Sequence, residues 1–111
     1  MKDNPINSTV DFEKDGVQHG SLKLPHSHDK SAWGSIVIPI SVAKNGDGPT
    51  ILLTGANHGD EYEGPIALFD LANQIKADDI SGRVIIVPGM NYPAFQNAKR
   101  NSPIDGGNMN R

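Results

Sequence analysis

The run Ser35–Ala43, SIVIPISVA, is rich in β-branched residues and predicts a strand. Pro39 has no N–H for a ladder bond, so it is expected at an edge or a bulge. Lys44–Pro49, KNGDGP, concentrates turn formers and predicts a hairpin-like link to a second strand, Thr50–Thr54. Beyond that strand, Pro65 suits the first turn of a helix, where a missing N–H costs nothing. Leu68, Leu71, Ala72 and Ile75 then fall at i, i+3, i+4 and i+7, one apolar stripe, and predict a helix over Gly64–Lys76. Arg83–Val87, RVIIV, follows Ser81-Gly82 as a short continuous apolar run, the pattern of a strand covered on both faces. Strand, helix, strand in that order predicts a right-handed βαβ unit with parallel strands.

The two ends of the chain lack such patterns. Residues 1–30 form a polar region, with short strands expected at Thr9–Phe12 and Ser21–Leu24 on either side of an Asp15-Gly16 turn. Pro88–Arg111 holds three prolines and three glycines, and regular structure is expected to stop there. An irregular segment of that length in a compact domain is functional or signals that part of the fold is missing. Residues 31–111 accordingly read as one α/β domain preceded by the polar region.

Composition narrows the classes. Apolar residues make up 36% of the 111, alongside 12 glycines, which fits a globular domain and excludes disorder or a fibre. Ten basic against 13 acidic residues give a net charge of -3, with neither sign in a block, so generic attraction to nucleic acid or anionic lipid is not expected. The chain has no cysteine, which rules out disulfides and thiolates; any metal must be held by N and O ligands. The first residues, MKDNPINSTVDFEKDG, contain no apolar leader, and no run approaches the ~20 apolar residues of a membrane span. A cytoplasmic protein without membrane partners is the expectation.

The densest chemistry sits in Leu52–Gly64, LLTGANHGDEYEG, at the exit of the Thr50–Thr54 strand. In open α/β sheets, ligands bind outside the carboxyl ends of strands. His58 lies there, and Glu61 follows at +3 with Gly59 between them to permit a tight path. The imidazole and carboxylate can face one borderline cation such as zinc, at about 2.0–2.2 Å from each. A catalytic zinc takes three protein ligands, so this is a two-ligand fragment. His-x-x-Glu alone has a plain alternative, a solvated loop with helix-start acids. His19, His26 and His28 read as exposed loop residues, although His26-Ser27-His28 could chelate in an extended conformation.

A second constellation joins Arg100 to the tail Asp105–Arg111, DGGNMNR. Guanidinium groups bind carboxylates through paired hydrogen bonds and stabilise oxyanions because they stay charged. The alternative is a solvent-exposed basic loop. Gly106-Gly107 lacks the Gly-Lys-Ser/Thr ending of a phosphate loop.

Taken together, NHGDEYEG, then NYPAF, then Arg100, then SPIDGGNMNR resemble the succinylglutamate desuccinylase/aspartoacylase family, relatives of the zinc carboxypeptidases. DGVQHG, LPHS and SAWGSIVIPI resemble the branch of that family that deacetylates N-acetyl-diaminobutyrate in ectoine breakdown, so the likeness covers nearly the whole chain.

The resemblance implies a three-layer α/β fold with a mixed sheet of the zinc carboxypeptidase-like type, incomplete in this chain. It implies one zinc held by His58 and Glu61, a carbonyl-polarising Arg100, and a substrate carboxylate bound by Asn110 and Arg111. The substrate would be a small N-acyl amino acid such as N-acetyl-2,4-diaminobutyrate, losing its acyl group by hydrolysis. Many members carry Asp-Leu-Asn-Arg where this chain has Asn108-Met109-Asn110-Arg111. The third zinc ligand, a His, and the general base, a Glu, lie downstream of the Asn-Arg pair in the family. The 111 residues are therefore expected to be the N-terminal part of a longer enzyme and inactive alone. The alternative is a non-catalytic carboxylate-binding module of the same fold.

Overall fold

The computed structural model describes residues 3–26 and 34–111; His28 lies outside them. Five strands form one mixed sheet: β1 (Asn7–Ser8), β2 (Gly16–Pro25), β3 (Ser35–Asn45), β4 (Thr50–Thr54) and β5 (Gly82–Val87). Two helices, α1 (Glu63–Gln74) and α2 (Tyr92–Gln96), and a single 3₁₀ turn, Ala77–Asp79, complete the described elements. The spatial order is β1-β2-β3-β5-β4. The fold is thus the expected mixed α/β type.

Strands β2 and β3 pair antiparallel over ten residues, from Gly16 opposite Lys44 to Pro25 opposite Ser35. Strand β5 pairs antiparallel with Ser41–Asn45 on the other side of β3. Residues 35–40 therefore have no second neighbour among the described strands, and Pro39 sits in this half-edge, where its missing N–H is tolerated. The register with β2 continues through Pro39 without a bulge.

Two strand expectations are corrected. Thr9–Phe12 is not a strand: β1 ends at Ser8, and the next residues cross the sheet face. Gly20 makes that crossing possible, because a Cβ there would lie 2.8 Å from Val10 Cγ1 and closer still to Thr9 Oγ1. Nor do β3 and β4 form a hairpin pair, because β5 lies between them. The turn instead steps across about 9.5 Å, two strand spacings. Gly82, the first residue of β5, fits into the gap: its Cβ would fall 2.3 Å from Pro49 O, and its φ of +88° is a conformation that favours glycine. Arg83 N–H donates to Pro49 O at 3.0 Å, and Asn45 pairs with Gly82.

The predicted βαβ unit is present. Strands β4 and β5 are adjacent and parallel, Thr50 opposite Arg83 through Thr54 opposite Val87, with α1 between them in sequence. Helix α1 begins one residue earlier and ends two residues earlier than its apolar stripe suggests.

One core cluster follows from strand alternation. Ile40 and Val42 on β3 lie on the same face as Leu22, Ile38, Ile85 and Val87, and the crossing segment covers them with Val10 and Phe12. Ser41, Ala43 and Ile86 point to the opposite face and are also buried, and α1 and α2 contact these strands. The residues of β5 between its buried ends are half-buried, so its covering is less complete than its apolar run suggests.

Candidate functional site

The site begins where β4 and β5 end side by side. Gly55 N–H donates to Val87 O at 3.1 Å, Met90 N–H to Gly55 O at 2.8 Å, and Asn91 N–H to Ala56 O at 3.1 Å. These three bonds lace the two exits together. Ala56 is held in the left-handed region, with φ of +51°, a conformation costing an alanine on the order of 1 kcal/mol. The strained turn swings the chain from the sheet toward His58.

His58 is 6% exposed, and its ring nitrogens have two partners. Nδ1 lies 3.0 Å from Glu61 Oε1, and Nε2 lies 3.1 Å from Asn108 Oδ1. A backbone bond from Glu61 N–H to His58 O, 3.2 Å, closes the turn between them. Arg100 Nη1 stands 3.6 Å from the same Glu61 oxygen, in an ion pair that is half exposed on both sides.

Close backbone packing brings Arg100 there. Gly59 lies directly against the end of α2: an added Cβ would meet Ala94 C at 2.1 Å and Lys99 O at 2.4 Å. Asn97 and Lys99 N–H groups turn back onto Pro93 O and Ala94 O, and Ala98 takes a φ of +52°, which ends the helix and redirects the chain into Arg100. Tyr62, beside Glu61, meets the ring of Phe95 edge-on at 6.4 Å, and Phe95 stacks on Tyr92 at 5.9 Å. These rings join the start of α1 to α2.

The tail returns through a compact loop. Gly106 N–H donates to Ser102 O at 2.9 Å, and Ser102 N–H to Gly107 O at 3.0 Å. Asp105 Oδ1 accepts from Gly107 N–H at 2.8 Å. The loop delivers Asn108 to His58, and Asn110 N–H then donates to Asn108 Oδ1 at 2.9 Å.

Residues 47–111 match the catalytic domain of succinylglutamate desuccinylase/aspartoacylase, more than half of the chain. The chain belongs to the succinylglutamate desuccinylase/aspartoacylase family. Among members, it is 62% identical over all 111 residues to an N-alpha-acetyl-L-2,4-diaminobutyric acid deacetylase of Halomonas elongata, covering 32% of that protein. The product-bound ectoine utilization protein EutE (DoeB) of Ruegeria pomeroyi superposes on the whole chain with a TM-score of 0.97 at 63% identity, and the chain covers 34% of it. A succinylglutamate desuccinylase of Silicibacter sp. TM1040 gives a TM-score of 0.97 at 64% identity, with the same coverage of each chain. The chain thus spans about a third of the length of these relatives.

Of the residues predicted from sequence, the structure of this family member brings His58, Glu61 and Arg100 together. Asn110 joins them through its backbone. Arg111 follows on the same turn, its N–H bonded to Asn108 O at 3.1 Å, while its exposed guanidinium has no ion pair among the described residues. His19 is on β2 rather than in a loop, with Nδ1 2.7 Å from Ser41 Oγ on β3, and it lies outside the site. His26 is half-buried at the far end of β2.

Three features were not anticipated. Helix α2 interrupts the segment expected to be irregular; Asn91 ahead of Tyr92-Pro93, with Pro in the first turn, was its signal. Asn108 contacts His58, and fifty residues of separation hide that from any local pattern. Asn91 is buried, and its Nδ2 has no hydrogen-bond partner among the described residues. It lines a cleft of about 460 Å³ together with Leu24, Ile38, Met90 and Met109. That cleft shares Asn108 with the site but is not lined by His58 or Glu61, so the cleft and the densest chemistry are neighbours rather than one place.

The donor set suits a divalent cation in part. An imidazole nitrogen and a carboxylate oxygen 3.0 Å apart can both reach one ion at bond lengths of about 2.0–2.2 Å. Among the described residues, no group of three or more His, Cys, Asp or Glu side chains converges here to complete a ligand set.

Proposed function

We propose that this chain carries zinc ligands and substrate-orienting residues of an amide hydrolase that removes the acetyl group from N-acetyl-2,4-diaminobutyrate. The observation that carries the reading is the convergence of His58, Glu61 and Arg100 at one strand exit, in a chain 62% identical to a deacetylase of that acetyl amino acid.

His58 and Glu61 would hold the zinc, with further ligation from outside these residues. When bound, zinc polarises the amide carbonyl and lowers the pKa of a water molecule toward ~7. Arg100, steadied by Glu61 and by the Gly59 contact with α2, would face the negative charge developing on the carbonyl oxygen. Loss of one such donor lowers the rate by about 10²–10³. Asn110 and Arg111 would receive the free carboxylate of the amino acid, with the guanidinium pairing to it in two parallel hydrogen bonds. Fixing the carboxylate at one end places the amide at the other, an entropic advantage already met when substrate binds. The 111 residues alone supply two zinc ligands and are expected to bind zinc weakly and to turn over negligibly.

A chimera tests the reading directly: the matching third of the Halomonas elongata deacetylase is replaced by these 111 residues, and zinc content and acetate release are measured. The chimera should bind zinc and release acetate, Arg100→Met should lower kcat by about 10²–10³, and His58→Ala should abolish zinc retention. A chimera that folds, binds carboxylate ligands and carries no zinc would identify the chain as a binding module instead.

A further inference from the structure

We propose that Asn45-Gly46 is a self-modification site held unreactive by the fold: the Asp15 carboxylate and the Ile80 carbonyl clamp the two groups that would otherwise close into a succinimide and release ammonia. The proposal concerns the durability of the sheet and is independent of the hydrolase reading.

The sequence creates the hazard. Asn45-Gly46 is the chain's one Asn-Gly pair. With no side chain on Gly46, its backbone nitrogen has open access to the asparagine side chain before it. Once that nitrogen has given its proton to hydroxide or water, it attacks Asn45 Cγ. The Cγ–Nδ2 bond breaks, Nδ2 takes a proton from water and leaves as ammonia, and a five-membered ring remains. One water then opens the ring at either carbonyl, giving aspartate or isoaspartate, with no oxidant or reductant involved. The turn explains why the pair is kept. Gly46 has a φ of +67° and a Cβ there would meet nothing within 4 Å, so conformation rather than space selects the glycine. Asn45 ends β3, and its Nδ2 donates to Ile80 O at 3.0 Å, tying the strand to the residue after the 3₁₀ turn.

Burial does not protect the pair, since both residues are exposed. Hydrogen bonds do. Gly16 on β2 pairs with Lys44 on β3, which puts Asp15 beside the end of β3. Its Oδ1 accepts from Gly46 N–H at 3.1 Å and from Lys44 Nζ at 3.1 Å, and Lys44 Nζ also donates to Gly46 O at 3.1 Å. The proton that must leave is therefore held against a carboxylate, and an amide anion formed there would face a negative charge. The Gly46 bond is also the chief cause that lowers the Asp15 pKa, with Lys44 adding to it, so Asp15 is charged at the neutral and alkaline pH where the ring closes. Ring closure removes the Gly46 proton and expels Nδ2, so it breaks both clamping bonds. The pairing of Asn45 with Gly82 restrains the backbone as well. Isoaspartate would insert a methylene into the main chain opposite the first residue of β5, loosening the step that lets β5 lie between β3 and β4.

The test is the rate of amide-to-acid conversion at Asn45 in the 111-residue chain at mildly alkaline pH, read by peptide mass spectrometry with isoaspartate resolved by chromatography. Asn101-Ser102, an exposed pair far in sequence from the clamp, is the internal reference. Folded wild type should convert at Asn45 at least about tenfold more slowly than the free peptide Ala43–Pro49, the factor for one hydrogen bond, and should reach the peptide's rate in concentrated urea. Asp15→Ala should raise the folded rate about tenfold with Asn101 unchanged. Asp15→Asn, which keeps an oxygen acceptor but no charge, should fall between the two. Should Asp15→Ala fold poorly, Asp15→Asn carries the test alone. A folded wild type that converts as fast as the free peptide, a folded variant no faster at Asn45 than wild type, or an equal rise at Asn101 in the folded variants would overturn the proposal.

Discussion

Strands β4 and β5 are nearly equal in apolar content, yet the sheet treats them differently. In β5 and its neighbour β3, Ile86 and Val42 are fully buried and Ile40 nearly so. In β4, Ile51 and Leu52 are 52% and 60% exposed, and Ile66 and Phe69 on α1 are exposed as well. The difference is position, since β5 lies between two strands and β4 is an edge. Apolar sequence alone therefore marks strands without ranking them by burial. The candidate site lies on the boundary between the two regions: His58 is anchored through β4 and held by Glu61 in the turn that follows, while Asn108 and the backbone packed against Gly59 come from the segments after β5.

The sharpest way to break this comparison is a matched pair of truncations. Ile86→Ala should cost about 2–5 kcal/mol in chemical denaturation, because a fully buried side chain leaves a cavity. Leu52→Ala should fall within about 0.5 kcal/mol of wild type, as exposed positions do. Equal effects would show that β4 contributes to the core as fully as β5.

Gly59→Ala probes the boundary itself. Its Cβ would strike the backbone of Ala94 and Lys99, so a loss of about 1–3 kcal/mol is expected from forced displacement. The amide resonances of Arg100 and its neighbours should shift with it, whereas those of β2 should not. A variant as stable as wild type with Arg100 unmoved would remove the close packing as the cause of the Arg100 position.

Arg83 sharpens the comparison on the buried side. It donates from Nη1 to Phe12 O at 2.8 Å and Glu13 Oε1 at 3.0 Å, and from Nε to Thr50 Oγ1 at 3.1 Å, pinning the crossing segment to β5 and β4. Arg83→Met should cost about 1–2 kcal/mol, mostly from the carbonyl bond, since the Glu13 pair is exposed.

The smallest effect is expected at Asp15. Gly46 N–H at 3.1 Å and the Lys44 ammonium at 3.1 Å stabilise its ionised form, and these hydrogen bonds lower its pKa below the ordinary carboxylate value. The folded pKa is the lower one, so the stabilisation is present above the unfolded pKa and disappears as pH falls through the folded one. Asp15→Asn should therefore weaken the acid-side decline in stability slightly, measured as denaturation midpoints from neutral pH down to about 3. An identical pH profile in the variant would show that the contact contributes nothing.

Much of the local structure was legible because it depends on short-range periodicity and turn chemistry. The β-branched run gave β3, the i, i+3, i+4, i+7 stripe gave α1, and the chemistry at a strand's carboxyl end drew attention to His58 and Glu61. The N-terminal polar region was harder, because β2 mixes glycine, histidine and lysine with its apolar residues and draws its strand identity from ten pairings with β3.

What the sequence by itself determined is the inventory: the identities of β3, β4, β5 and α1, the His58–Glu61 turn, the basic and amide residues of the tail, and the family to which they point. The tertiary structure decided the neighbours. It placed β5 between β3 and β4, laid Val10 and Phe12 across the sheet over Gly20, and brought Asn108 to a histidine fifty residues away. Periodicity is written within one turn or one strand, whereas these contacts form only when separate segments compete for the same buried face, and that competition is resolved in three dimensions.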